Sequence, residues 1–128
     1  LPMLAAKATH VLYSETGLLA HVGDASPREQ LTRAQAQLPG KFLGVTRGAE
    51  GFFWLENGAE KHASGLSVIA VDTLGAGDVF HGAYALALAE GMSAHDAARF
   101  SCVAASLKCE VFGGRIGAPS REAVAARI

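Results

Sequence analysis

The sequence has few of the residues that would place it in a specialised structural class. Two cysteines occur among 128 residues, and aromatic residues make up 7%. Cys102 and Cys109 form no CxxC pair and have no histidine at zinc-ligand spacing, so the pattern does not indicate a zinc site. We expect both thiols to be reduced and buried, as in a cytoplasmic protein.

An excess of one charge and long apolar runs are also missing. The chain has 11 basic and 12 acidic residues, a formal net charge of −1, and no block of lysine or arginine. We therefore expect no nucleic-acid partner, because a phosphate backbone selects a basic surface. The apolar stretches are far shorter than the roughly 20 residues needed to cross a bilayer, and no signal-peptide pattern is visible. We expect a cytoplasmic location and no membrane partner.

Hydrophobic residues are plentiful, at 50% of the sequence, so we expect a packed core. Short apolar runs alternate with helical patterns, which indicates an α/β domain with a mostly parallel sheet. Asn57-Gly58 between two such runs predicts one antiparallel hairpin. The predicted strands cover residues 11–13, 42–46, 52–55, 60–63 and 67–71. The main predicted helices cover 27–38, 76–89 and 93–110, and the small apolar residues of 76–89 predict that this helix is buried all round.

The run Thr73-Leu74-Gly75-Ala76-Gly77-Asp78 lies between a predicted strand and that helix. Small residues let the backbone turn sharply and approach a ligand, and free N–H groups at a helix N-terminus favour an anion. We predict an anion hole at Gly75, Ala76 and Gly77, with Asp78 as a carboxylate base beside it. This combination is typical of phosphoryl transfer. The alternative is a glycine-rich turn in which Asp78 serves only as a helix cap.

Residues 72–83 resemble the second signature of the ribokinase-like (PfkB) carbohydrate kinases. Residues 45–51 are similar to the T-x-G-x-x-G nucleotide loop of that family, and residues 99–114 resemble its C-terminal nucleotide-site helix and loop. The run from Asp78 to Ala83, with Lys108-Cys109 and Gly113-Gly114-Arg115, resembles the ketohexokinase-like or sulfofructose-kinase-like branches more than ribokinase itself. The resemblance implies an ATP-dependent kinase with a sugar acceptor, Mg²⁺ bound with ATP, and a homodimer as the full-length form. It also implies the C-terminal half of a three-layer sandwich with helices on both faces of the sheet.

The resemblance assigns roles to individual residues. It makes Asp78 the catalytic base and places Gly75, Ala76 and Gly77 in the anion hole. The implied nucleotide-binding residues are Thr46, Gly48, Gly51, Gly77, Cys102, Cys109 and Gly113. For Cys102, contact with adenine and a small buried thiol remain alternatives. The carboxylate of Asp72 and the carbonyls of Leu74 and Gly113 match a site for a monovalent cation such as K⁺.

The sequence departs from the family pattern in two places. Where the family has N-x-x-E, this chain has Ser14-Glu15-Thr16-Gly17, so Glu15 is the one carboxylate left there to help hold magnesium. His81 stands where ribokinases commonly have Asn, one helical turn after Asp78. It is predicted either to touch substrate or phosphate or to serve in packing.

The resemblance also implies a chain about half the usual length, lacking an N-terminal sugar-binding half and its lid. We therefore expect the chain alone to be inactive. Two other functions remain open: a nucleoside or vitamin kinase of the same superfamily, and a non-catalytic nucleotide-binding module. The acceptor hydroxyl cannot be read from this sequence.

Overall fold

The computed structural model describes residues 2–128, which divide into two compact units. The first unit contains the described residues up to Gly48 together with Phe52–His62, and the second contains Ala49–Gly51 and Ala63–Ile128. The helices are α1 (Pro2–Lys7), α2 (Glu15–Val22), α3 (Pro27–Gln37), α4 (Ala76–Ala89), α5 (Ala94–Cys109) and α6 (Arg121–Ala125). The strands are β1 (His10–Ser14), β2 (Phe42–Thr46), β3 (Phe52–Glu56) and β4 (Ala59–Ala63). No described helix is both long and apolar enough to cross a membrane.

The four strands form one mixed sheet in the order β1-β2-β3-β4. β1 runs parallel to β2, and β2 runs antiparallel to β3. The predicted turn between β3 and β4 is confirmed, since Asn57 and Gly58 have φ angles of 53° and 77°. Positive φ at both central residues is what a two-residue hairpin turn requires.

Helices α2 and α3 pack against this sheet because each buries a narrow apolar stripe. Their fully buried side chains Leu18 and Leu31 meet Leu43 and Val45 of β2. The start of α3 is the capping box that the sequence predicted: Ser26 Oγ accepts from the Glu29 N–H at 3.3 Å, and Glu29 accepts from the Ser26 N–H at 3.2 Å.

The second unit is built on the pairing of α4 with α5. Phe80, Tyr84 and Ala87 of α4 are buried, as are Phe100 and Val103 of α5. Ser93 caps α5 by accepting from the Asp96 N–H at 3.1 Å, as predicted. This helical pair supports the two loops described below.

Three sequence predictions about these elements were wrong. Residues 67–71 form no strand; the Val71 N–H donates to the Cys109 carbonyl at 2.7 Å, and Ile69 is 89% exposed. Without that strand, the sheet of the described residues is mixed instead of mostly parallel. Helix α4 is not buried all round, since Leu86 on its other face is 44% exposed. Apolar composition cannot show which face of a helix finds a partner.

Candidate functional site

Helix α4 begins without a side-chain cap. Gly75 occupies the N-cap position with φ 79°, a left-handed conformation that favours glycine. The Ala76 N–H donates to the Thr73 carbonyl at 3.1 Å, and the Val79 N–H makes the first helical bond, to Gly75, at 2.9 Å. Between them, the N–H groups of Gly77 and Asp78 donate to no acceptor in the described part of the chain. Two polarised donors are thus left at the positive end of a 14-residue helix, as an anion site requires.

Asp78 lies in the first turn of α4 and is exposed. His81, one turn later, places its Nδ1 2.7 Å from the Gly77 carbonyl. A carbonyl only accepts hydrogen bonds, so Nδ1 carries the proton. The imidazole is therefore tied to the backbone of the anion-hole segment, beside the exposed carboxylate.

The segment before α4 is held by the carboxylate of Asp72. Its Oδ1 accepts from the Leu74 N–H at 2.9 Å, and its Oδ2 accepts from the Gly113 N–H at 2.8 Å. These backbone donors, with the nearby Lys108 ammonium, hold the pKa of Asp72 below its ordinary value. Asp72 thereby fixes the loop that leads into Gly75 and ties it to the loop after α5.

The two loops lie against each other at van der Waals distance. A Cβ on Gly75 would lie 3.4 Å from Gly114 Cα, and a Cβ on Gly114 would lie 3.6 Å from the Leu74 carbonyl oxygen. The structure therefore brings together Asp72, Leu74, Gly75 and Gly113, and the roles predicted for them stay predictions.

Lys108, in the last turn of α5, was not predicted as part of this site. Its side chain is fully buried, and its Nζ donates to the carbonyls of Asp72 at 2.8 Å and Val111 at 3.3 Å. In sequence, a lysine at the end of a helix indicates a surface residue that complements the helix dipole. No feature of the sequence near Lys108 distinguishes it from such a surface lysine.

These contacts do not fit the predicted monovalent-cation site. Both oxygens of Asp72 already accept N–H groups, and Lys108 Nζ lies 3.6 Å from Oδ2. The carbonyl of Gly113 accepts from the Gly117 N–H at 3.0 Å. A monovalent cation is held by oxygen ligands whose combined charge is negative. Here the charge of the Asp72 carboxylate is already balanced by the ammonium group of Lys108.

The predicted nucleotide loop has the backbone its glycines imply. Thr46 ends β2, and its hydroxyl donates to the Tyr13 carbonyl at 3.3 Å. Gly48 has φ 51° with open space around its Cα, and Gly51 has φ 94°. A Cβ on Gly51 would overlap the Ala63 carbonyl oxygen, so packing alone requires this glycine. Thr46 and Gly48 belong to the first unit, and Gly51 belongs to the second.

Glu15, the predicted magnesium ligand, pairs instead with Arg47. The Arg47 guanidinium lies 2.8 Å from Glu15 Oε1, with side-chain exposures of 20% and 54%. Ser14 caps α2 by accepting from the Gly17 N–H at 3.1 Å. Among the described residues, no group of three or more His, Cys, Asp or Glu side chains could hold a metal ion. Oε1 of Glu15 is thus engaged by Arg47, and a magnesium role for Glu15 stays a prediction.

Both cysteines are free thiols; Cys102 is buried, as predicted, whereas the prediction that Cys109 is buried was wrong. Cys102 is buried in α5, and its Sγ donates to the Ala63 carbonyl at 3.4 Å. Cys109 ends α5, is half-buried, and offers its carbonyl to the N–H groups of Val71 and Asp72. These contacts give both residues a packing role, and their roles in nucleotide binding stay predictions.

Comparison with known proteins gives consistent matches. The pfkB family carbohydrate kinase profile matches residues 1–121. The ribokinase of Bacillus subtilis (strain 168) is 40% identical over 98 residues, which are 77% of this chain and 33% of that protein. Among solved structures, a proposed ribokinase from Agrobacterium tumefaciens is 45% identical with a TM-score of 0.92, covering 97% of this chain and 41% of its own. Arabidopsis thaliana ribokinase, solved with ribose and ATP, is 30% identical with a TM-score of 0.86, covering 98% and 42%.

The chain thus spans 33% of the Bacillus ribokinase and about two fifths of the solved relatives, at 41% and 42%. Its assignment to the C-terminal half of the family fold stays a prediction. The predicted α/β fold and the predicted family are both confirmed by these matches. With the profile covering residues 1–121 of 128, the chain belongs to the pfkB family of carbohydrate kinases.

Proposed function

We propose that the complete protein transfers the γ-phosphoryl group of ATP to a hydroxyl of a sugar. The observation that carries the proposal is the uncapped start of α4, where two free N–H groups adjoin the exposed Asp78 carboxylate. The relation to ribokinases supports it, including an Arabidopsis enzyme solved with ribose and ATP.

In this mechanism, Asp78 accepts the proton of the acceptor hydroxyl as its oxygen attacks the γ-phosphorus. The bond from that phosphorus to the β–γ bridging oxygen breaks, and ADP leaves with the electron pair. Within this segment, the free N–H groups of Gly77 and Asp78 stabilise negative charge on the transferring phosphoryl oxygens. The helix dipole of α4 adds to this effect without reorganisation, because its donors are already in place.

Thr46, Gly48, Gly51, Cys102, Cys109 and Gly113 are proposed to contact the nucleotide. Gly48 suits this role best, since its left-handed backbone faces open space. Mg²⁺ would be held mainly by ATP phosphate oxygens and water, because Glu15 is engaged with Arg47. When bound, the ion would neutralise charge that develops on the phosphates.

The decisive variant is Asp78→Asn in the complete protein. It removes the proton acceptor while keeping the size of the side chain, so kcat should fall by about 100-fold or more, while ATP still binds. Asp24→Asn, an exposed aspartate in the first unit, is the matched control and should keep full turnover. Near-normal turnover in Asp78→Asn would refute the assignment of the base.

Two other functions keep some support from the residues. The Ser14–Gly17 stretch, with its Glu15–Arg47 pair, favours a non-catalytic nucleotide-binding module, because the expected magnesium-organising carboxylate is lost. A nucleoside or vitamin kinase would share the α4 site and differ in its acceptor. Calorimetry with Mg-ATP, followed by turnover assays with sugars, nucleosides and hydroxymethylpyrimidine, separates the three outcomes.

The present chain alone should be inactive, and the complete protein is proposed to be a cytoplasmic homodimer. The expected inactivity follows from the family resemblance and from the 33% of the Bacillus ribokinase that the chain spans, and the homodimer follows from the family resemblance alone. Catalysis needs acceptor positioning and exclusion of water as well as an anion hole. Turnover and sedimentation measurements on the chain and on the complete protein check both statements.

A further inference from the structure

Lys108 is a charged side chain with no exposed surface, at 0%. A lysine is almost never fully buried unless its charge is partnered. Its Nζ donates to the Asp72 carbonyl at 2.8 Å and to the Val111 carbonyl at 3.3 Å, and it lies 3.6 Å from Asp72 Oδ2. One positive charge is therefore surrounded by three oxygen atoms of two residues.

Carbonyl and carboxylate oxygens are also the ligands that alkali cations prefer. The ammonium carries the same single charge as K⁺, and its three N–H groups match the number of nearby oxygens. A second cation beside Asp72 would put two positive charges next to one carboxylate, in a place where Asp72 is 17% exposed. The arrangement favours one resident cation, and that cation is part of the polypeptide.

We propose that Lys108 is a positioning residue that replaces a monovalent cation beneath the anion hole, so that nucleotide binding and turnover do not depend on K⁺. This inference rests on the proposed kinase function and names how its anion hole is held. It also replaces the expectation that Asp72, Leu74 and Gly113 bind such an ion.

The path from Lys108 to the anion hole runs through the backbone. Lys108 holds the Asp72 carbonyl, and Asp72 holds the Leu74 N–H, which directly precedes Gly75. The same carboxylate fixes Gly113. Gly117 lies against the same loop, since a Cβ there would come within 2.5 Å of the Gly113 carbonyl oxygen and 3.2 Å of the Val111 carbonyl oxygen.

The first test needs no variant. The thermal midpoint, the Kd for Mg-ATP and kcat/KM of the complete protein are compared in potassium chloride and in tetramethylammonium chloride at equal ionic strength. All three should be the same in both salts. A bound K⁺ would raise the midpoint with its concentration, because a ligand that binds only the folded state stabilises it. A higher midpoint or tighter ATP binding in K⁺ would overturn the inference.

The second test removes the charge by Lys108→Ala, with the exposed Lys61→Ala as the matched control. In tetramethylammonium chloride, the Lys108 variant should bind Mg-ATP about tenfold more weakly than the unmodified protein. Losses of about this size are typical when a residue that orients ligating groups, without touching the ligand itself, is removed. Ammonium or K⁺ should restore binding in that variant and leave the control unchanged. Lack of restoration in a folded Lys108→Ala protein would overturn the cation role.

These readouts separate this inference from the proposed function. Melting and Mg-ATP binding require no acceptor sugar, so they decide the role of Lys108 even if no sugar is phosphorylated. If Lys108→Ala does not fold, the salt comparison on the unmodified protein still decides.

Discussion

Gly75 and Gly77 lie two residues apart, and we predict that alanine at each position has opposite effects on stability. Gly75 has φ 79°, and a Cβ there would lie 3.4 Å from Gly114 Cα. Alanine in a left-handed conformation costs roughly 1–2 kcal/mol, so Gly75→Ala should lower the free energy of unfolding by about that amount. Gly77 lies inside α4, has no positive φ, and has nothing within 4 Å of its Cβ position. Gly77→Ala should therefore raise the free energy of unfolding by about 0.5–1 kcal/mol.

The same two changes should act differently on function. Nothing lies within 4 Å of the Gly77 Cβ position, and in the proposed mechanism a phosphate approaches the N–H groups at this helix start. A methyl group there should weaken Mg-ATP binding and reduce kcat/KM, even though the protein is more stable. Gly75→Ala should reduce both stability and turnover.

Urea unfolding gives the two stabilities, and an ADP-release assay gives the two kcat/KM values, each on the complete protein. A Gly77→Ala protein with wild-type kcat/KM would refute the assignment of this segment to the phosphate. A Gly75→Ala protein as stable as wild type would contradict the left-handed helix start.

Two further predictions concern the carboxylates beside the site. In the folded state, the pKa of Asp72 lies below its ordinary value. The ionised carboxylate therefore stabilises the fold at pH values above the ordinary pKa. This stabilisation is lost as pH falls through the lowered pKa of the folded state. Asp72→Asn should therefore reduce the loss of unfolding free energy between about pH 5 and pH 2, measured by urea unfolding; an unchanged acid dependence would contradict this. Glu15→Gln should leave the Mg²⁺ concentration needed for turnover unchanged and lower stability by less than about 1 kcal/mol, since the ion pair with Arg47 is partly exposed. A much higher Mg²⁺ requirement would restore Glu15 as a ligand.

Much of the local structure was predictable because it depends on neighbours in sequence. The predicted strand 42–46 and helix 76–89 have the observed bounds. The capping box of α3 and the hairpin at Asn57-Gly58 are formed from residues next to one another, and each has a chemical signature.

Features that depend on distant partners could not be predicted in this way. Residues 67–71 have the composition of a strand, but a strand also needs a neighbour, and Val71 pairs with the end of α5 instead. The burial of Lys108 depends on Asp72, which lies 36 residues away in sequence. The predicted roles of Asp72 and Glu15 rested on the family resemblance, and the structure shows their carboxylates engaged by protein donors.

The ties between the two glycine loops also bear on the order of folding. The bond from Gly113 to Asp72 closes 41 residues of chain, and the bond from Lys108 to Asp72 closes 36. Closing loops of this length costs entropy before any contact repays it. Pairing of α4 with α5 into a helical hairpin between Asp72 and Gly113 shortens the flexible loop that must be closed and so lowers this entropy cost. We therefore expect the anion-hole segment to consolidate after the hairpin, so that substitutions at Asp72 speed unfolding and those in the α4–α5 interface slow folding.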